Sequence, residues 1–200
     1  MNDSYDALAI RGDAKLFPEM NMILQNGFYL IAPIGKSLRD ILLYWGLSHE
    51  YIESQIKTIF RNSHPVDDID KTHLSEGDVI GLSGPMPGLV GAIFRSGSYL
   101  SPFRSTISSL PDDIAEVDTE GFIQLKVFNV VLKETGKFFL ERGIYMKSSL
   151  LKEFFEQKNS SFYDHCKAIL LNNKSVDLRS GNLRELNFSS DLVFLTVNKA

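Results

Sequence analysis

The sequence predicts an α+β protein of two modules, each a mixed sheet with one packed helix. Three observations carry this. Apolar, aromatic-rich runs alternate with turn signals, as strands require. A helical apolar face follows the opening runs of each half. The same pieces then recur in the same order. "IKTIFRNSHPVD" (56–67) aligns with "CKAILLNNKSVD" (166–177) without a gap. Lys57 meets Lys167, Ile59 meets Ile169, Asn62 meets Asn172, and Val66-Asp67 meets Val176-Asp177. Downstream, "GDVIGLS" meets "SDLVFLT", pairing Asp78 with Asp191 and Leu82 with Leu195. Upstream, "MILQNGFYL" meets "FFLERGIYM", and "KSLRDIL" meets "SSLLKEFF". Collinear matches of this kind point to a duplication.

Taken in order, each half opens on strand-type runs. "QNG" and "ERG" read as tight turns between them, because Gly accepts positive φ. Ser37 and Ser148/Ser149 are N-cap candidates for the helices that follow. Leu38, Ile41, Leu42 and Trp45 form one helical face, and Leu150, Leu151, Phe154 and Phe155 form its counterpart. Gly46 is a helix stop. Next come a strand ("KTIF" or "KAILL"), an Asn-containing turn, an irregular stretch and a last strand ("DVIGL" or "DLVFLTV"). The expected order is strand–strand–helix–strand–strand. The expected modules are residues 1–95 and 121–200. A Ser-, Pro- and Asp-rich linker over 96–120 joins them, with Tyr99, Phe103 and Ile107 holding part of it against a module.

Bulk properties narrow the class. In 200 residues, 44% are hydrophobic and 23% charged, which suits a globular chain. A formal charge of −4 argues against a nucleic-acid or anionic-membrane binder, which needs a basic face. Cys166 is the single cysteine, so no intrachain disulfide forms and a reducing compartment is expected. The N-terminus lacks the basic and apolar regions of a signal peptide, and no run approaches the ~20 apolar residues that span a bilayer. The expectation is a cytoplasmic protein.

Several stretches resemble the ubiquitin-like β-grasp proteins of the MoaD/ThiS sulfur-carrier class. "IQLKVFNVVLKETG" (123–136) resembles their opening strand and turn, "LNNKSVD" their Asn-Gly turn, and "DLVFLTV" their last strand. "IFRNSHPVDD" and "LSEGDVIGLSGPMPG" (74–88) carry the likeness in the first half. The chain also resembles an uncharacterised bacterial family with a "PGLVGA" segment, which adds no function. The carrier resemblance implies two β-grasp modules and a protein partner, with an enzyme of sulfur or molybdopterin metabolism as its class. A carrier needs a terminal Gly carboxylate, which is adenylated and then made a thiocarboxylate. Here the sequence closes on "TVNKA", and the Gly/Pro segment is internal. Carrier chemistry would therefore need cleavage after Gly88 or Gly91.

The candidate contact surface is the Gly/Pro exit of the first module together with the aromatic and basic residues just beyond it. It comprises Pro85, Met86, Pro87, Gly88, Leu89, Gly91, Phe94, Arg95, Tyr99, Phe103 and Arg104. Aromatic anchors with Arg at the rim are what a docking surface needs. "GPMPGLVG" lacks the Lys-Ser/Thr of a P-loop, and its prolines remove N–H donors. His64 and His73 flank the acidic turn "PVDDIDKT", read as solvated rather than as a metal site. Cys166 matches Ile56 in the repeat, so it reads as a packed thiol, with His165 pointing to the other face. Asp112 and Asp113 form a linker pair. No catalytic residue, metal or cofactor is expected. The reading is a non-catalytic binding module. The alternatives are a cleavage-activated sulfur carrier, and a small-ligand binder or enzyme with its site between the modules.

Overall fold

The computed structural model describes residues 5–94, 119–176 and 186–200. The first half of the chain runs β1 (Asp6–Gly12), α1 (Leu16–Asn26), β2 (Phe28–Pro33), α2 (Leu38–Tyr44), α3 (His49–Gln55), β3 (Thr58–Arg61), β4 (His64–Pro65) and β5 (Val79–Ser83). After α4 (Gly88–Phe94), the second half runs β6 (Glu120–Phe128), α5 (Asn129–Arg142), β7 (Ile144–Lys147), α6 (Ser148–Glu156), α7 (Ser160–His165), β8 (Cys166–Leu171), β9 (Lys174–Ser175) and β10 (Leu192–Lys199). The class is α+β with mixed strand pairing, and both halves follow one order of elements.

That order corrects the expected one. Each half carries a helix between its first two strands, where a tight turn was expected. Gly27 and Gly143 do sit at positive φ (114° and 99°), but they end α1 and α5. Their N–H groups return to Ile23 and Phe139. Gly136 lies inside α5 rather than in a turn. The single packed helix is in fact a pair, α2 with α3 and α6 with α7. Ser37 caps α2 as expected, accepting from the Asp40 N–H at 3.1 Å. α6 begins at Ser148 itself, so Lys147 holds its N-cap place without a side-chain bond.

The chain forms two compact units, Met1–Phe28 with Glu134–Ala200, and Tyr29–Lys133. They do not follow the expected division into 1–95 and 121–200. In each, one strand of the central parallel pair comes from the other half of the chain.

In the unit of Tyr29–Lys133 the strand order is β4-β3-β5-β6-β2. β5 and β6 are parallel, and β3 is antiparallel to β5 and β4. Alternation sets the core: Ile80 and Leu82 on β5, and Ile123, Leu125 and Val127 on β6, are buried. Helix residues Leu38, Ile41, Leu42, Trp45 and Ile52 complete it. The indole N–H of buried Trp45 donates to the Ile31 carbonyl at 3.0 Å.

In the other unit the order is β7-β10-β1-β8-β9. β1 and β10 are parallel, and β7 and β8 flank them antiparallel. Leu8, Ile10, Val193, Leu195 and Val197 point into a core shared with α1 residues Leu16, Met20, Ile23 and Leu24 and with Phe139, Phe155 and Phe162. Lys158 donates to the backbone and carboxylate of Glu19 and lies over the rings of Phe154 and Phe162.

One hydrogen-bond motif occurs in both units. Asn62 follows β3 at φ 51°; its N–H donates to the Val79 carbonyl, its side-chain oxygen accepts from the Val79 N–H, and its amide donates to Asp78. Asn172 follows β8 at φ 51° and does the same to Ala7 and Asp6. The aligned turns are thus matched in structure, and Val66→Ile59 and Val176→Ile169 backbone bonds follow both. The pairing of Asp78 with Asp191 is not: Asp6, on the first strand of the chain, holds the equivalent place. β1 lies beside β8 where β5 lies beside β3, and strand neighbours decide which carboxylate meets the turn.

Candidate functional site

The predicted contact segment starts where β5 ends. The Ser83 hydroxyl accepts from the amide of Asn129, the first residue of α5, at 2.9 Å. A Cβ at Gly84 would sit 2.3 Å from Cγ1 of Val130, so a side chain here would have to displace Val130. The chain then turns through Pro85, Met86 and Pro87 into α4. Gly91, on α4, is buried; a Cβ there would lie 2.0 Å from the Met86 carbonyl oxygen. The turn is therefore fixed at both ends. Between the two contacts Pro85, Pro87 and Gly88 are exposed and Met86 is half-buried. Phe94 closes α4 by packing on Phe60 of β3, with centroids 5.4 Å apart and planes at 53°. Leu89 lies on α4.

The structure thus brings Pro85, Met86, Pro87, Gly88, Gly91 and Phe94 into one turn and helix. Arg95, Tyr99, Phe103 and Arg104 lie outside the described residues, as do Ile107, Asp112 and Asp113. The segment does not leave β5 as an extended tail: a helix begins at Gly88.

The same unit carries a cleft that the sequence did not single out. Ser48 caps α3 by accepting from the Tyr51 N–H at 3.1 Å. α3 then presents Ile52 and, just past its end, Ile56 on one side, with Glu53 beside them. Ile59 of β3 continues this floor. The opposite wall is the segment 67–70. It is tied down by the Arg39 N–H donating to the Ile69 carbonyl, the Leu38 N–H to Thr72 and the Thr72 N–H to Asp68. Between these walls lies a volume of about 320 Å³, at the small end of ligand-pocket sizes.

Arg39 spans it. Its guanidinium donates to Glu53 on α3 (2.6 Å) and to both oxygens of Asp70 on the far wall (2.5 and 3.1 Å). Its hydrogen bonds to Asp70, then to Glu53, hold the guanidinium firmly cationic. Asp68 is held below the usual carboxylate range, first by its bond to Lys71 and then by the N–H groups of Lys71 and Asp70. Lys57 at the rim donates to the Glu53 carbonyl at 2.5 Å. The clamp draws on "LRDIL", "IESQ" and "DDID", pieces distant in sequence. Only the acidic turn gave any signal, and read alone it looked solvated.

The remaining candidates are accounted for by packing. Cys166 opens β8, buried, and its thiol donates to the Phe162 carbonyl at 3.6 Å. Burial pushes it up to about 11, so the nucleophilic thiolate is scarce at neutral pH. His165 pairs with Asp13 at 3.0 Å. His64 lies 2.9 Å from the Asn62 carbonyl, and His73 bridges Ser37 in an isolated β-bridge. Among the described residues no three or more His, Cys, Asp or Glu side chains converge as metal ligands, and no helix is long and apolar enough to cross a membrane.

Comparison with family models, with curated proteins and with solved structures found no match.

Proposed function

We propose that this protein is a non-catalytic, ubiquitin-like binding module that docks a protein partner through the turn at 85–91. The observation that carries this reading is the fixed, outward-facing turn. Gly84 lies against the Val130 side chain and Gly91 against the Met86 backbone, so a side chain at either would displace the end of the turn. Pro85 and Pro87 restrict φ between them. A preformed surface loses little entropy on binding. The mixed order of five strands within each unit, built around a parallel pair, supports the β-grasp part of the reading. An enzyme of sulfur or molybdopterin metabolism is the partner class that the carrier resemblance implies.

Docking is favoured over carrier chemistry because Gly88 and Gly91 are joined into α4 by peptide bonds. Neither offers a carboxylate. Intact-mass measurement of the native protein checks this. The docking reading expects no species ending at Gly88 or Gly91 and none carrying a sulfur-for-oxygen exchange. The interface itself is tested by affinity recovery of partners with Gly88→Trp and Pro87→Glu proteins whose circular dichroism matches the wild type. Pro87→Glu makes no backbone demand, so it guards against strain at Gly88, where φ is 77°. Each should lower recovery about tenfold or more, equivalent to ~1.4 kcal/mol. Full recovery with both variants would remove the turn from the interface.

A further inference from the structure

The unit that contains β1 and β10 packs its helices on one face of its sheet and leaves the other open. Alternation separates the two: Leu8, Ile10, Ile169 and Leu195 are fully buried, whereas Ala7, Ala9, Leu170, Phe194 and Thr196 keep part of their surface. Three rings gather at one end of the open face. Tyr145 lies opposite Phe194 across β7 and β10, with centroids 4.8 Å apart, and Tyr5, just before β1, meets them at 5.3 and 6.0 Å. Tyr5 is 48% exposed. Phe194 does not stand up from the sheet: its ring tip takes the space where a side chain at Gly143 would begin, 2.2 Å from an ideal Cβ. Ala7 and Ala9, paired with Phe194 and Thr196, keep the surface beside it low. Cations stand at both ends. Lys147 follows Tyr145 by two residues and Arg11 follows Ala9 by two, so both belong to the open face, and both are exposed. Neither is paired with a carboxylate among the described residues. β1, β7, β8 and β10 contain a single carboxylate, Asp6, which is buried on the core side among its own donors. The net charge of −4 therefore lies elsewhere, although it argued against a generally basic surface. Leu192 beside Lys147 and Asn198 beside Arg11 are about 20 Å apart along β10, at ~3.3 Å per residue. The face thus offers flat apolar rings between two cations, with no anion. An acidic peptide would satisfy the cations alone, and a duplex hides the faces of its bases. An unpaired strand suits both, since each nucleotide brings a phosphate and a π face.

We infer that this face binds single-stranded nucleic acid, with bases on Tyr5, Tyr145 and Phe194 and phosphates on Lys147 and Arg11. The full-length protein is titrated at low ionic strength into fluorescein-labelled probes and followed by anisotropy. The probes are a uridine decamer, a thymidine decamer, an abasic decamer with the same phosphates, and a decaglutamate peptide. At least one of the two base-bearing decamers should bind saturably, about fivefold or more tightly than the abasic one, the low end of what one stacked base contributes. Tyr5→Ser, at an exposed ring, should remove most of that advantage and leave abasic binding unchanged. Arg11→Gln combined with Lys147→Gln should reduce the slope of log affinity against log salt by about 1.4, as loss of two single-strand phosphate contacts requires. Gly88→Trp should leave decamer binding unchanged, which separates failure of this face from failure of the docking turn. Absence of saturable binding by both base-bearing decamers would overturn the inference. So would equal binding of the abasic decamer or of decaglutamate, since either would mean that charge alone is read.

Discussion

Asp6 and Asp78 occupy equivalent places in the two units and are stabilised by different means. Asp78 is buried against Arg61, with Nε to Oδ2 at 2.8 Å, and also accepts from the Ser75 N–H and the Asn62 amide. The position aligned with Arg61 is Leu171. Asp6 instead accepts from Asn172, from the N–H and hydroxyl of Ser189 and from the Ser190 N–H, all within 2.9 Å. Burial alone would raise the Asp6 carboxyl, but these hydrogen bonds outweigh it and hold it below its ordinary value of 3.8. A depressed folded-state pKa gives stability that is complete above the unfolded-state value. That stability is lost as pH falls through the folded-state value. Asp6→Asn should therefore lower stability at neutral pH by about 1–3 kcal/mol, since an amide turns donors toward donors. Its urea-unfolding free energy should also fall less steeply than the wild type's below the carboxylate range. Parallel acid profiles for the two proteins would show that this carboxylate does not contribute. The paired Asn turns were readable from "RNSH" and "LNNK". Asp6 was not, because likeness to "GDVIGL" is stronger in "SDLVFL", and the choice is made by which strand lies beside β8.

At the scale of elements, the helices α1 and α5 were hidden behind their last residues. "QNG" and "ERG" resemble hairpin turns, and a glycine at positive φ serves both a hairpin and a helix end. The better signal lay upstream: Leu16, Phe17, Met20, Ile23 and Leu24 fall at helical spacing and are all buried. In α5 the pattern is diluted by "KETGK", so propensity and periodicity gave little warning. α6 shows a correctable weakness. Exposed Lys147 stands at its N-cap with no side-chain bond, and its first turn lacks an acidic residue. Lys147→Asn would supply an acceptor and remove a cation from the positive end of the helix. The variant should gain about 0.5–1 kcal/mol, read as a higher denaturation midpoint at unchanged m-value. An unchanged midpoint would mean that the side chain finds no N–H to cap.

For the whole molecule, the order of elements was only partly legible, and the division into units was not. Local pattern located most strands, but nothing local says that β6 enters the sheet of β2, β3, β4 and β5. β6 supplies Ile123, Leu125 and Val127 to that core, each fully buried. A fragment ending at residue 95 would lack them, losing roughly 1.5–3 kcal/mol for each side chain. The fragment 29–133 keeps them. It should show cooperative unfolding and protease resistance, whereas 1–95 should show neither. If 1–95 folds cooperatively and 29–133 does not, the two compact units are not folding units.

The parallel pairing of β1 with β10 also orders events on the ribosome. β1 emerges early, yet both of its neighbours, β8 and β10, are synthesised near the other end of the described chain. At ~5–20 residues per second, β1 waits on the order of ten seconds or more with both edges unpaired. The unit of Tyr29–Lys133 is complete well before that. Nascent chains stalled once residue 133 has cleared the ribosomal exit tunnel should thus hold the finished unit of Tyr29–Lys133 and one open strand, a state in which a chaperone has something specific to cover.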